Sequence, residues 1–144
     1  MAMNLTAFRD SRVGYDGPVS GTIQTWELVI ADVAGASVTN VARVCLPKGM
    51  RLYISNAYVY ATTVSAATVS VKIGDKTTAD SLVANVAFTA TKGALTLASN
   101  LVGSTTTYNE LVATVTNNST GRAAGIRVHL VGFIASPPTS YEAR

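Results

Sequence analysis

A chain of 144 residues with 48% hydrophobic, 13% charged and 7% aromatic side chains has the size of one domain and a surface made mostly of neutral Ser, Thr and Asn. This excludes a charge-solvated disordered chain and a heptad coiled coil, and a net charge of +3 without clustered Lys and Arg points away from nucleic acid. The single cysteine, Cys45, excludes an intrachain disulfide; Met1 to Phe8 does not read as a secretory signal, and no apolar run approaches the ~20 residues of a spanning helix.

Residues 1–21 hold Arg9, Asp10, Arg12 and Asp16 among Gly14, Gly17, Pro18 and Gly21, with no sustained period. They read as an extended arm ordered by a neighbour. Leu5, Phe8, Val13 and Tyr15 are its candidate apolar anchors, and Arg9 and Arg12 its polar contacts. From Thr22 the pattern is β. Trp26, Leu28 and Ile30 alternate with Glu27, Val29 and Ala31, which predicts a strand over 22–32 with Trp26 toward the core. Residues 33–40 read as a loop and Val41 to Leu46 as a short strand ended by Pro47-Lys48-Gly49.

Residues 51–61 form the longest strand candidate. Strict alternation puts Leu52, Ile54, Asn56, Tyr58 and Tyr60 on one face and Tyr53, Ala57 and Val59 on the other. Residues 62–67 read as a turn, and Val69, Val71 and Ile73 as one face of a half-buried strand. In 79–90, Leu82, Ala84, Val86 and Phe88 favour a strand over a short helix. Ala94 to Leu97 follows as a short strand, then a polar loop over 100–109. Leu111, Ala113 and Val115 mark the next strand. Asn117 to Gly121 reads as a hairpin-type turn, and 124–135 as the last strand, with Ile126, Val128, Leu130 and Ile134 on one face. Pro137-Pro138 stops it, leaving a short tail over 137–144.

The expected fold is therefore all-β: a seven- to eight-stranded β-sandwich over 22–136, jelly-roll-like, behind an N-terminal arm. Its expected core is Trp26, Leu28, Ile30, Leu52, Ile54, Val69, Val71, Ile73, Leu111, Val115, Ile126, Val128 and Leu130.

The chemistry-bearing residues are few. The only histidine, His129, lies between Val128 and Leu130, and no nucleophile motif accompanies it. It reads with Arg127 as part of a strand face, solvated or in contact with a partner. One His and one Cys make no zinc site. Asp75 and Asp80 lack the ligand spacing of a calcium loop and read as turn carboxylates. No phosphate-binding glycine loop is present. Cys45, beside Val44 and Leu46, reads as a buried, inert thiol. Asn4, Asn117 and Asn118 match the glycosylation acceptor pattern and read as turn residues. The chain is thus expected to be no enzyme and to hold no cofactor or metal. Tyr53, Tyr58 and Tyr60 stand out, because tyrosine offers a flat apolar ring with a polar tip. They read first as core or subunit interface and second as a sugar platform.

The arm over 4–21, the segment Leu46-Pro47-Lys48-Gly49-Met50-Arg51-Leu52-Tyr53-Ile54 and the segment Gly125-Ile126-Arg127-Val128-His129-Leu130-Val131-Gly132-Phe133 give the chain a resemblance. It resembles the small β-sandwich capsid decoration (cement) proteins of tailed bacteriophages. The resemblance implies a homotrimer seated on the major capsid protein at the virion surface, clamping capsid subunits, without nucleic-acid or membrane partners. The alternative is a carbohydrate- or receptor-binding β module of a phage tail, using Tyr53, Tyr108 or the loop over 99–109.

Overall fold

Alternating apolar residues with turn formers between them produce strands and no helix among the described residues of the computed structural model, which are 22–34, 38–65, 69–88, 92–117 and 121–139. The expected arm, with Leu5, Phe8, Arg9, Arg12, Val13 and Tyr15, lies outside the described residues, as does the tail from 140. Twelve strands are described: β1 (Gln24–Ile30), β2 (Val33–Ala34), β3 (Val38–Leu46), β4 (Arg51–Tyr60), β5 (Thr63–Ser65), β6 (Val69–Gly74), β7 (Val83–Phe88), β8 (Lys92–Leu95), β9 (Leu101–Gly103), β10 (Asn109–Asn117), β11 (Arg122–Ala124) and β12 (Ile126–Ser136).

The pairing is antiparallel in every ladder. One sheet runs β1-β12-β4-β8, with β9 also on β4. A second runs β3-β10-β6-β7, and a small third sheet runs β2-β11-β5. One core cluster draws on both larger sheets: Leu28, Ile30, Leu52, Ile54, Val59 and Leu130 from the first, and Leu46, Val71, Ile73, Leu111 and Val115 from the second. Each such side chain, once buried, contributes roughly 1.5–3 kcal/mol against the entropy of ordering the chain. Every residue of the expected core is buried except Trp26, which is partly buried and packs against the cluster.

Several expectations for the connections need correction. The loop expected over 33–40 contains β2 and the start of β3, and Val33 is fully buried. The turn over 62–67 contains β5, and the loop over 100–109 contains β9, with Val102 buried. Asn117 is the last residue of β10 and not a turn residue. Arg122–Ala124 pairs with β2 and β5 rather than returning along β10, so no hairpin joins the two. β2, β5, β9 and β11 are two or three residues long and pair far away in sequence, so no local periodicity marks them. The last strand divides at Gly125, whose φ of +62° suits a residue without a Cβ, into β11 of the third sheet and β12 of the first. In 79–90 the strand is real, but Leu82 and Val83 are both buried while Ala84, Asn85, Val86 and Ala87 are all exposed. β7 is an edge strand whose two ends reach the core, Val83 buried and Phe88 packed against the cluster, while its middle is covered on neither face.

Cys45 is exposed, which corrects the buried reading. Leu46 faces the core and Val44 packs against it, so the period of two turns Cys45 outward, opposite Glu110. A thiol reagent should therefore label Cys45 fully in the native protein, at a rate that denaturant raises little. Cys45→Ser should change stability by less than about 0.5 kcal/mol, as surface substitutions do. Protection of the thiol until global unfolding would contradict this placement.

Candidate functional site

β4 departs from strict alternation at one point. Its partner β12 pairs Val131 with Asn56 but Gly132 with Ile54, so Ser55 is an extra residue on β4. This is a β-bulge. The Ser55 hydroxyl donates to the Val131 carbonyl at 3.0 Å. On the other side of β4, in the gap between β8 and β9, Asn100 clamps the backbone of Ile54. Its carbonyl accepts from the Ile54 amide and its side-chain amide donates to the Ile54 carbonyl, each at 2.7 Å. The extra residue reverses the phase: Leu52 and Ile54 are buried before the bulge, and Ala57 and Val59 after it. Tyr53, Tyr58 and Tyr60 consequently share the outer face of the first sheet, at 38%, 39% and 38% exposure. The expectation that Tyr53 opposes the other two is corrected by this one residue.

Cross-strand pairing sets what surrounds these rings. Phe133 of β12 is opposite Tyr53 and stacks on it, with centroids 5.0 Å apart and planes 19° from parallel. Glu27, His129 and Tyr58 form one row across β1, β12 and β4, and Val29, Arg127 and Tyr60 the next. Glu27 Oε2 lies 3.3 Å from His129 Nε2 and 3.9 Å from Arg127 Nε. All three side chains are between about a third and a half exposed, so these contacts fix orientation more than they stabilise. Between the rings lies a groove of about 310 Å³ lined by Thr25, Tyr58, Val59, Tyr60, His129 and Val131.

A second feature lies along the strand edges. β1 and β3 sit side by side at one end of the molecule. They carry Ile23, just before β1, and Val29 and Val41, all strongly exposed. At the opposite end the edges of β7 and β8 line an apolar groove of about 410 Å³ with Val86, Phe88, Leu95 and Leu97. Edge strands are ordinarily blunted by charge or proline. β7, Val-Ala-Asn-Val-Ala-Phe, has neither.

The other candidates resolve into structural roles. Asp75 accepts from the amides of Thr77 and Thr78 at 2.8 and 2.6 Å, an Asx turn. The Lys76 ammonium sits 3.7 Å from the centre of the Tyr108 ring, so that ring face is already occupied. Ser104 accepts from the amides of Thr106 and Thr107, which makes the 104–107 segment a tight turn rather than an open loop. Asp32, unremarked in the sequence, accepts from the Gly125 amide at 3.2 Å and from Arg122 at 2.7 Å. These bonds, the backbone one foremost, hold its carboxyl below the usual carboxylate range. Among the described residues no group of three or more His, Cys, Asp or Glu stands close enough to hold a metal ion. No helix of the described residues is long and apolar enough to cross a membrane. No protein-family model matches the chain, and no curated protein matches its sequence.

Proposed function

We propose that the chain is a non-enzymatic structural protein of a tailed-phage virion, a decoration protein that forms a ring of copies on the outside of the major capsid lattice and stabilises it. Its domain is read as a jelly-roll sandwich. The strand order supports this once the third sheet is set aside and β8 and β9 are taken as one interrupted strand opposite β4. The eight main strands then run first-eighth-third-sixth in one sheet and second-seventh-fourth-fifth in the other. That order is two Greek keys wound together, an architecture used in viral capsid domains.

The observation that carries the assembly reading is the pair of dissimilar apolar edges. Ile23, Val29 and Val41 are presented at the β1/β3 end. The uncharged β7 edge and its groove lie three strand spacings away, about 14 Å. A contact joining unlike patches is heterologous, and such contacts close into rings when the rotation permits. The trimeric count comes from the family resemblance. β1, which follows residues 1–21 in the chain, is the edge strand of its sheet, and the proposal has an arm anchored by Leu5, Phe8, Val13 and Tyr15 lie against the neighbouring copy.

The test is reassembly. Full-length protein added to capsids that lack it should bind and raise their resistance to heat and osmotic shock, and in solution it should sediment as a closed oligomer. Val86→Lys, which puts an ammonium on the β7 edge, should shift the oligomer to monomer and abolish occupancy. Deleting residues 1–20 should leave a folded domain that binds weakly. A full-length chain that stays monomeric and ignores capsids would remove the reading.

A further inference from the structure

We propose that the outer face of the first sheet binds a neutral saccharide, with one sugar ring stacked in the groove between Tyr58 and Tyr60. The inference is separable from the capsid reading: Val29 of the apolar edge shares this face, in the row of Arg127 and Tyr60, but does not line the groove.

The groove has two chemical zones. Its floor is apolar: Val131 and the flanks of the two tyrosine rings. Its rim is polar: the tyrosine hydroxyls, the Thr25 hydroxyl and the His129 ring, with Glu27 beside His129 in the same cross-strand row and Arg127 in the next. A volume near 310 Å³ is at the small end of ligand sites and matches a single ring better than an extended peptide. A ligand that fits both zones has one face of C–H groups and an equator of hydroxyls. That is a sugar ring. Each hydroxyl both donates and accepts, and the rim supplies both partners. The Glu27 carboxylate only accepts, with capacity beyond its contacts to His129 and Arg127. The Arg127 guanidinium only donates.

The same residues argue against other occupants. A phosphate or carboxylate ligand would meet the Glu27 carboxylate, which already faces both His129 and Arg127. A dry interface with a second copy would bury Glu27 and Arg127, 3.9 Å apart, at a desolvation cost that their loose pairing does not offset. The other aromatic positions are less available. Tyr53 is stacked on Phe133 and Tyr108 lies under Lys76. The bulge at Ser55 builds the site, since without it Tyr58 and Tyr60 would point into the core.

The experiment uses the full-length protein without capsids. Maltohexaose, cellohexaose and chitohexaose are titrated by calorimetry and by NMR, with hexagalacturonate as the anionic comparison. At least one neutral oligosaccharide should bind with Kd of ~1 mM or tighter. Tyr58→Ala and Tyr60→Ala should each weaken that binding about tenfold, the loss of one stacked ring. Tyr58→Phe keeps the ring and should retain most of the affinity, and Tyr108→Ala should not change it. Thr25→Arg fills the groove from an exposed position without removing a ring. It should abolish binding while the melting temperature stays near that of the parent, which separates occlusion from unfolding.

Three results would each overturn the proposal: no binding of any neutral oligosaccharide, preference for hexagalacturonate, or binding that survives Thr25→Arg and both alanine variants. Alanine variants that dissociate an oligomer while leaving sugar binding intact would also overturn it and reassign the face to self-association. Failure of the capsid experiment leaves this result untouched, because here the readout is the free protein.

Discussion

Gly132→Ala is expected to destabilise the domain by ~3 kcal/mol, the upper part of the range for forcing a methyl into packed structure, and to lower the melting temperature by about 10 °C. Gly132 lies in β12 opposite the bulge in β4. A Cβ there would overlap the Tyr53 carbonyl oxygen and come within 3.0 Å of the Ile54 Cα. Both are backbone atoms of a strand pinned on its other side by Asn100. Neither is the far end of a side chain that can swing away. Relief therefore requires β4 and β12 to separate, which breaks ladder hydrogen bonds and shifts the Tyr53–Phe133 stack. Gly93→Ala is the matched comparison. Gly93 is also in a strand paired with β4, at Val59, but a Cβ there meets nothing within 4 Å. It should be neutral or slightly stabilising, because alanine restricts the unfolded chain. Thermal and urea melts of the two variants decide the point. A Gly132→Ala melting temperature within about 2 °C of the parent would mean the strands are not in close contact here.

The bulge also marks where the sequence stops being legible by alternation alone. Leu28, Ile30, Val69, Val71, Ile73, Leu111, Val115, Ile126, Val128 and Leu130 were readable as core because each strand keeps one phase from end to end. β4 does not. Its apolar set runs Leu52, Ile54, then Ala57, Val59, Ala61, two phases joined at the adjacent polar pair Ser55-Asn56. That pair is the signal of an inserted residue, and strict alternation reads past it. Alternation alone divides three tyrosines between two faces when they share one. Cys45 is the opposite case. Its neighbours Val44 and Leu46 fix it outward by parity, so phase outweighs the apolar character of the thiol. The short strands β2, β5, β9 and β11 were not readable at all, since their pairing energy comes from partners distant in sequence. The uncharged β7 edge was visible as composition. That it is an edge followed only from the sheet order.

Asn117→Ala is expected to cost ~3 kcal/mol, because the buried Val33 carbonyl and the part-buried Gly121 carbonyl lose their donor and each group left unsatisfied costs about 1–3 kcal/mol. Asn117 is completely buried at the end of β10. Its side-chain amide donates to the Val33 carbonyl at 3.1 Å and to the Gly121 carbonyl at 2.6 Å. These bonds tie the second sheet to β2 and to the chain entering β11, so they connect elements that share no ladder with β10. Asn117→Asp keeps the size and removes only the donors. At neutral pH it should cost at least as much, since a carboxylate then faces two carbonyl oxygens. Asn40→Ala supplies the contrast. Asn40 also donates twice, to the Ala31 and Asp32 carbonyls at 3.1 and 2.9 Å, but it is only half-buried. Water replaces its donors, and the expected loss is about 0.5 kcal/mol, the low end for a solvated bond. Both variants delete a side-chain amide that donates to two backbone carbonyls, and burial is the main difference between the two sites. Urea denaturation of both, with the slope checked for two-state behaviour, reads the difference directly. Equal losses at the two sites would mean that Asn117 is reached by water in solution and that the junction between the second and third sheets is open.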